Sequence, residues 1–278
     1  MSKHNGLMDF HALAVLEERR ESRGVGEIAD EAMPFAGGVV CRGEPGSWFN
    51  GARGAGMSGP VSRDEVRGFI HELEIRGIEP RISICPFVDE SLRRALFEER
   101  FLLRDFTSVL CRPLLPDERI APLVAPPQSL RIEPVDPSDQ QAVESFARTS
   151  VAGFLSDSRE PPEMCLRLTR RMARHPRATA IRAMVGDECV GAGAMEIDGE
   201  LAALYGASVL VNRRGQGIQQ AMLAWRLNRA AACGVSIATI GSRPRAQTER
   251  NAQRMGFALA YMKVTLVRPG PGLAPNLD

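Results

Sequence analysis

"NRRGQGIQQAML", residues 212–223, sets two arginines and two glycines directly before an apolar run with helical spacing. The first four N–H groups of a helix have no intrahelical partner, and the helix dipole adds partial positive charge there. Gly215 and Gly217 let a bulky anion approach the backbone, and Arg213 and Arg214 add mobile positive charge beside it. The stretch reads as an anion-binding turn, and what precedes it narrows the kind. Residues 178–211, "ATAIRAMVGDECVGAGAMEIDGELAALYGASVLV", read as three antiparallel strands joined at the turn dipeptides Gly186-Asp187 and Asp198-Gly199. That argues against a dinucleotide-binding fingerprint, whose glycines sit inside a parallel βαβ unit, and the GK[ST] ending of a P-loop is missing.

Outward from this turn, the helix it opens is expected to run about 18 residues and stop near Gly234, a frequent helix C-terminal residue. "VSIATIGS" (235–242) then predicts a strand, "QTERNAQRM" (247–255) a short helix and "FALAYMKVTLVRP" (257–269) a last strand. On the N-terminal side, "SLRIEPV" (129–135) predicts a strand, followed by helices over 136–150 and 160–174. Earlier still, "RPLLPDERIAPLVAPPQS" (112–129) can continue neither a helix nor a central strand, because proline lacks the N–H donor. It divides the chain into residues 1–113, a linker at 114–128, and residues 129–278.

The first half is expected to hold a helix over 7–22 and strand-like runs near 37–42 and 47–57. Ser62 and Glu65 form a capping box that starts a helix reaching Arg76. "RISICP" (81–86) is a β-branched strand, 89–99 a helix and "FLLRDFTSVLCRP" (101–113) a strand. An offset of 156 residues carries Ile84 onto Ile240, Phe101 onto Phe257, Leu110 onto Leu266 and Arg112 onto Arg268, and one residue more carries Gly77 onto Gly234. Both halves thus repeat helix, strand, helix, strand.

Thirty-five basic against 34 acidic residues leave a formal charge of +1, with 5% aromatic residues. Neither the charge nor the stacking surface of a nucleic-acid binder is present. No window approaches the roughly 20 apolar residues of a membrane span. The six cysteines are scattered without a CxxC pair or nearby histidines, so they read as buried thiols of a cytoplasmic protein, with no metal site.

On these features, residues 129–268 resemble the GNAT superfamily of acyl-CoA-dependent N-acetyltransferases. Its cofactor motif, Q/R-x-x-G-x-G/A, falls on Arg214, Gly217 and Gln219, the last departing from the pattern, and "TERNAQRMGF" is similar to the family's fourth helix and the Gly-Phe after it. The resemblance implies an α/β fold of the α+β type: a mixed, largely antiparallel sheet flanked by helices. With the internal repeat, the resemblance also implies a tandem whose first half is a degenerate copy without the cofactor loop. "RGAG" (53–56) mimics the motif, but Ser58-Gly59-Pro60 separate it from the helix capped by Ser62.

The implied activity is transfer of an acetyl group from acetyl-CoA to a primary amine, on a small molecule or a protein, by direct attack on the thioester and without a metal. Main-chain groups of Ala207, Ser208 and Val209 are expected to receive the pantetheine arm as though it were an added strand. The amides of Arg214, Gly215, Gln216, Gly217, Ile218 and Gln219 would hold the pyrophosphate, and Asn251 is a further CoA contact. The tyrosine that often acts as general acid in the family is here Ala252, so the candidates for the reacting end are Tyr205 and Glu196. Asp157, Glu160 and Glu163 offer either an ammonium site or a solvated helix start. The alternative is a non-catalytic CoA- or acyl-CoA-binding or protein-interaction module.

Overall fold

The computed structural model describes residues 8–116, 118–155 and 160–276. The chain divides into two compact units, but neither boundary lies at the Pro-rich segment: one unit comprises residues up to Thr107 together with the stretch from Ala260, and the other comprises Ser108–Leu259. Among the described residues no helix is long and apolar enough to cross a membrane.

The first unit contains α1 (Phe10–Ile28), β1 (Glu31–Phe35), β2 (Gly38–Arg42), β3 (Gly51–Arg53), α2 (Arg63–Glu74), β4 (Arg81–Ile84), α3 (Glu90–Glu98) and the beginning of β5 (Leu102–Pro113). Its α1 outruns the expected helix by six residues, and β1 was not foreseen. β1, β2 and β3 pair antiparallel, β3 meets β4 in parallel at Ala52 and Ile82, and β4 pairs antiparallel with Val264–Val267. Leu73, Ile78, Ile82, Leu92 and Leu96 are fully buried between helices and sheet. The capping box forms as expected: the Ser62 hydroxyl accepts from the Glu65 N–H at 3.2 Å, and the Glu65 carboxylate accepts from the Ser62 N–H at 2.8 Å.

The second unit holds β6 (Leu130–Pro134), α4 (Gln140–Ala152), α5 (Glu163–Arg174), β7 (Ala178–Val185), β8 (Glu188–Asp198), β9 (Leu201–Val209), α6 (Ile218–Ala232), β10 (Ile237–Ser242), α7 (Gln247–Arg254) and the first residues of β11 (Ala258–Val267). Strands β6 to β9 form an antiparallel meander in chain order. β10 then joins β9 in parallel and is followed by Ser108–Pro113 of β5, antiparallel. The second hairpin turns at Gly199-Glu200, one residue later than expected, because Asp198 pairs directly with Leu201; Gly199 supplies the positive φ of 59° that such a turn needs at its first central position.

The internal repeat is real in element order, and it shows how the halves are built. Each unit places a helix between two parallel strands, α2 between β3 and β4 and α6 between β9 and β10. The strand completing each set is not the next in sequence. β4 is paired by the end of β11, and β10 by the end of β5, so the two strands equivalent at the 156-residue offset are exchanged. The expected domains 1–113 and 129–278 therefore each lack one strand of their own sheet.

The Pro-rich segment is not a free linker either. It lies along α6, where Asn228 Oδ1 accepts from the Ile120 N–H at 2.9 Å and Asn228 Nδ2 donates to the Ile120 carbonyl at 2.8 Å. Two turns nearer the helix start, Gln220 Oε1 accepts from the N–H groups of both Leu123 and Val124 at 3.0 Å. Proline-interrupted backbone cannot satisfy itself, and these two side-chain amides do it instead.

Candidate functional site

The turn at 214–217 enters α6 with Gly217 as N-cap, left-handed at φ 73°, and no side chain caps the helix. No acidic residue stands in the first turn of α6. Among the described residues, no acceptor meets the N–H groups of Gly215, Gln216, Gly217, Ile218 or Gln219. Gly215, at φ 79°, has no heavy atom within 4 Å of where a Cβ would stand. Five amides without an acceptor thus lie together at the positive end of a 15-residue helix, on a turn exposed at Gly215 and Gln216.

The equivalent end of α2 is built oppositely. Its N-cap hydroxyl occupies one amide, Asp64 and Glu65 stand in its first turn, and the glycines of the upstream "RGAG" are packed in. A Cβ on Gly54 would lie 2.8 Å from the Glu18 carbonyl oxygen, and one on Gly56 would lie 2.5 Å from Leu92 Cδ2. An anion is excluded there by charge and by space.

Around the turn of α6, the side chains of Arg213, Arg214, Gln219 and Gln220 are committed to the protein. Arg214 donates from Nε to the Val209 carbonyl at 3.2 Å and from a terminal nitrogen to the Gly153 carbonyl at 2.8 Å, while its own N–H reaches the Val211 carbonyl at 3.3 Å. It therefore fastens the turn to β9 and to the end of α4. Arg213 pairs with Glu188. The expectation of mobile positive charge beside the anion does not hold for either side chain.

Gln219, the departure from the motif, turns away from the loop. Its Nε2 donates to Thr248 Oγ1 at 3.0 Å and its Oε1 accepts from Asn251 Nδ2 at 2.5 Å. Asn251 is buried, and its Oδ1 also accepts from Gln247 at 2.9 Å and Gln220 at 3.4 Å. Both ends of its amide are engaged in joining α7 to the first turn of α6. Ala252 is fully buried among Leu223, Leu227, Met255 and Phe257, so the position of the family's tyrosine is core here.

β9 supplies the second feature. Its parallel pairing with β10 stops at Leu204 and Ile240, although β9 continues to Val209 and β10 to Ser242. Beyond Tyr205, among the described residues, that edge of β9 shows no further strand pairing. On the other edge, Ala194 pairs with Tyr205 and Ala192 with Ser208, so Gly206 and Ala207 stand opposite Gly193 alone. Gly206 at φ 61° makes this a bulge in which the left-handed residue comes first. Neither Gly206 nor Ala207 has a ladder partner on either side.

The bulge puts Tyr205 and Ser208 on one face of the sheet, with Ala194, Glu196 and Ala203. That face belongs to α4, because Ser208 Oγ donates to the Ser150 carbonyl at 2.9 Å. Tyr205 is half-buried there. Glu196 is 2% exposed, and its Oε1 accepts from Arg177 Nε at 2.8 Å. It is an ion-paired carboxylate, not the exposed base that the strand position suggested. Val209 lies on the opposite face, in the core with Ile218 and Met222.

The acidic helix start does not stand open to an ammonium. Asp157 lies outside the described residues; Glu160 pairs with Arg148 at 3.1 Å and Glu163 with Arg170 at 2.6 Å. Hydrogen bonds from Arg170 lead in holding the Glu163 and Glu144 carboxyls below the usual carboxylate range.

Two parallel strands whose pairing stops short, a bulge in the first of them and an uncapped helix between them can be matched to known architecture. A GCN5-related N-acetyltransferase from Kribbella flavida superposes with a TM-score of 0.62 at 14% sequence identity, over 96% of this chain and 98% of its own. The fold is that of the GCN5-related N-acetyltransferases. A tandem GNAT protein from the clavulanic acid biosynthesis pathway matches with a TM-score of 0.58 at 13% identity, over 97% of this chain and 90% of its own. Another GCN5-related N-acetyltransferase, from Sphaerobacter thermophilus, gives 0.56 at 15%, over 78% of this chain and 68% of its own. No protein-family model matches the sequence, and no curated protein is significantly similar to it. At these identities the likeness establishes the GNAT fold, in tandem form, and what the fold does in this chain rests on its own residues.

Two residues that sequence reasoning passed over complete the site. Gly206 inside a strand was a visible signal, since glycine there marks a bulge. Arg226 in "AWRLNRA" sits on the buried face of α6 with Met222, Leu223 and Leu227, a charge in an apolar stripe.

Proposed function

We propose that the chain is an acetyl-CoA-dependent N-acetyltransferase that takes its donor along β9 and the N-terminus of α6. One observation carries this: a strand edge at 206–209, beyond the pairing with β10, leads within a few residues to five acceptor-free amides at 215–219. A molecule with a strand-like amide arm and a pyrophosphate fits that sequence of groups.

The amides of Gly215, Gln216, Gly217, Ile218 and Gln219 would hold the pyrophosphate. Arg214 positions them through its bonds to Val209 and Gly153. Since the Val209 carbonyl is taken by Arg214, main-chain contacts to the arm fall to Ala207 and to the groups of Ser208 and Val209 that face away from β8. Asn251 and the Gln219 side chain support the loop from behind.

Bound acetyl-CoA supplies an activated acetyl group. An arm that runs from the 215–219 amides past Val209, Ser208 and Ala207 ends at Gly206 and Tyr205. There the N–H groups of Gly206 and Ala207 would donate to the carbonyl oxygen as negative charge grows on it. The acceptor amine arrives on the face shared with α4, where Tyr205 orients it; the buried Glu196 carboxylate, paired with Arg177, supports that face from within. The C–N bond forms, the C–S bond breaks, and the amine proton leaves to water; a thiol pKa near 8.5 lets thiolate depart at neutral pH without a dedicated acid.

Calorimetric titration with acetyl-CoA tests this. A micromolar dissociation constant, roughly −8 kcal/mol, followed by release of free thiol with a panel of primary amines, is the expected result. Absence of binding defeats the proposal. Binding without turnover selects the second reading, an acyl-CoA-binding module, which the core position of Ala252 and the ion pair of Glu196 favour.

A further inference from the structure

Arg226 is 2% exposed, and among the described residues no carboxylate pairs with it. An unpaired guanidinium is a costly thing to bury in a core of this kind. Its bonds are to carbonyls: Nε donates to Met222 at 3.2 Å, and one terminal nitrogen donates to Ala194 at 3.0 Å and to Tyr205 at 3.4 Å. Ala194 and Tyr205 are cross-strand partners at the edge of the bulge. The guanidinium therefore clasps β8 to β9 at the place where their register slips. The guanidinium lies over Gly193, where a Cβ would stand in contact with it, 3.4 Å from Arg226 Cζ. Burial pulls the Arg226 pKa down to about 10, with Tyr205 opposing the shift, so it is charged at neutral pH.

The peptide bond from Tyr205 to Gly206 is trans and planar, so its C=O and N–H point in opposite directions. With the carbonyl turned onto Arg226, the Gly206 N–H is turned away from it. A carbonyl that accepts from a cation also makes the N–H of the same peptide a stronger donor.

We infer that Arg226 is a positioning residue for acyl transfer: it anchors and polarises the Tyr205–Gly206 peptide so that the bulge presents its N–H to the donor's thioester oxygen. This rests on the acetyl-CoA reading above. It assigns a selective role, because Arg226 acts on the acyl carbonyl and not on the nucleotide or the pyrophosphate.

The test is paired calorimetry of acetyl-CoA and CoA against wild type, Arg226→Met and Arg226→Lys, with thermal melting of each. Arg226→Met is expected to weaken acetyl-CoA about tenfold while CoA stays within about twofold, the loss of one hydrogen bond to the acyl group. Its melting temperature is expected to fall modestly, because the Ala194 and Tyr205 carbonyls lose their donor, and a purely structural role would weaken both ligands alike. Arg226→Lys keeps the charge but not the fork that spans two carbonyls, and shows a smaller loss of the same selectivity. Equal weakening of both ligands, or an unchanged ratio, overturns the inference and leaves Arg226 a packing residue. If Arg226→Met does not fold, the ratio in Arg226→Lys decides alike. Wild type that binds neither ligand overturns the acetyl-CoA reading itself, and this inference with it.

Discussion

Replacing Lys263 with methionine tests the strand exchange, because this lysine sits on the part of β11 that completes the first unit. Its side chain is 5% exposed and its Nζ lies 2.9 Å from Glu18 Oε2, itself on a side chain 2% exposed. A second contact reaches Glu21, which is 28% exposed, and the Tyr261 hydroxyl donates to Glu18 Oε1 at 3.1 Å. At an effective dielectric of about 20, unit charges 2.9 Å apart attract by about 6 kcal/mol. Removing the lysine recovers its own desolvation, so the net loss expected for one partner of a buried pair is about 3–5 kcal/mol. That corresponds to a fall of roughly 10 °C or more in the melting of the first unit.

The pH dependence is specific. Burial alone would raise the Glu21 carboxyl, but Lys263 and Arg53 override it and hold it down to about 2. Its contribution is complete above the ordinary value of 4.5 and is lost as pH falls toward 2. For Lys263 burial pulls the other way, yet Glu18 and Glu21 keep it above its ordinary 10.5, so its contribution is complete below that pH and lost only as pH rises through the raised value. Glu18 runs opposite to Glu21: burial raises its carboxyl, and that favours folding in acid. The deficit of Lys263→Met is therefore largest at neutral to mildly alkaline pH and shrinks as pH falls, from above the ordinary 4.5 downward, because without the lysine the buried carboxylates take up protons above their ordinary value. Calorimetric melting at pH 7 and pH 4, with hydrogen exchange of the α1 amides, reads both effects, and Glu18→Gln added to Lys263→Met should restore part of the loss. A variant within about 1 kcal/mol of wild type at pH 7, with the same acid profile, would refute a buried ion network in this strand.

At Gly217, valine should abolish measurable CoA binding: besides the strain of a left-handed β-branched residue, its Cβ would lie 2.7 Å from the Val124 carbonyl oxygen, and titration with CoA checks it. Gly215→Ala, which meets no atom within 4 Å, should melt only slightly lower, about 1–2 kcal/mol for the left-handed backbone. Ala252→Tyr should not install a general acid but overpack the core under α7, destabilising by about 1–3 kcal/mol or more in a denaturant titration. A chain cut to residues 129–278 lacks the strand 108–113 that pairs β10 and carries a β11 without β4; it should fail to give a cooperative melt, whereas folding as a stable domain would contradict the exchange.

What could be read from the sequence was what neighbouring residues decide. Ser62 and Glu65 announce α2 because a capping box is complete within four residues. The turn into α6 was legible for the same reason, since amide supply, glycine freedom and the helix start all lie within 212–223. Strand exchange was not, because "FLLRDFTSVLCRP" and "FALAYMKVTLVRP" carry nearly the same apolar pattern, and a pattern shared by both strands cannot say which sheet each joins. β1 hid behind Pro34, which an edge strand tolerates. Side-chain commitments were equally out of reach. The ties of Arg214 to Gly153 and of Gln220 to Leu123 join residues distant in sequence, and nothing local distinguishes them from solvated groups.

The most direct measurement is a crystal structure of the protein with CoA. The account predicts the pyrophosphate within hydrogen-bonding distance of the amides of residues 215–219 and the pantetheine arm laid along Ala207–Val209 in the gap that β10 leaves. CoA bound elsewhere, or the 215–219 amides still facing solvent in crystals grown with saturating CoA, would contradict it.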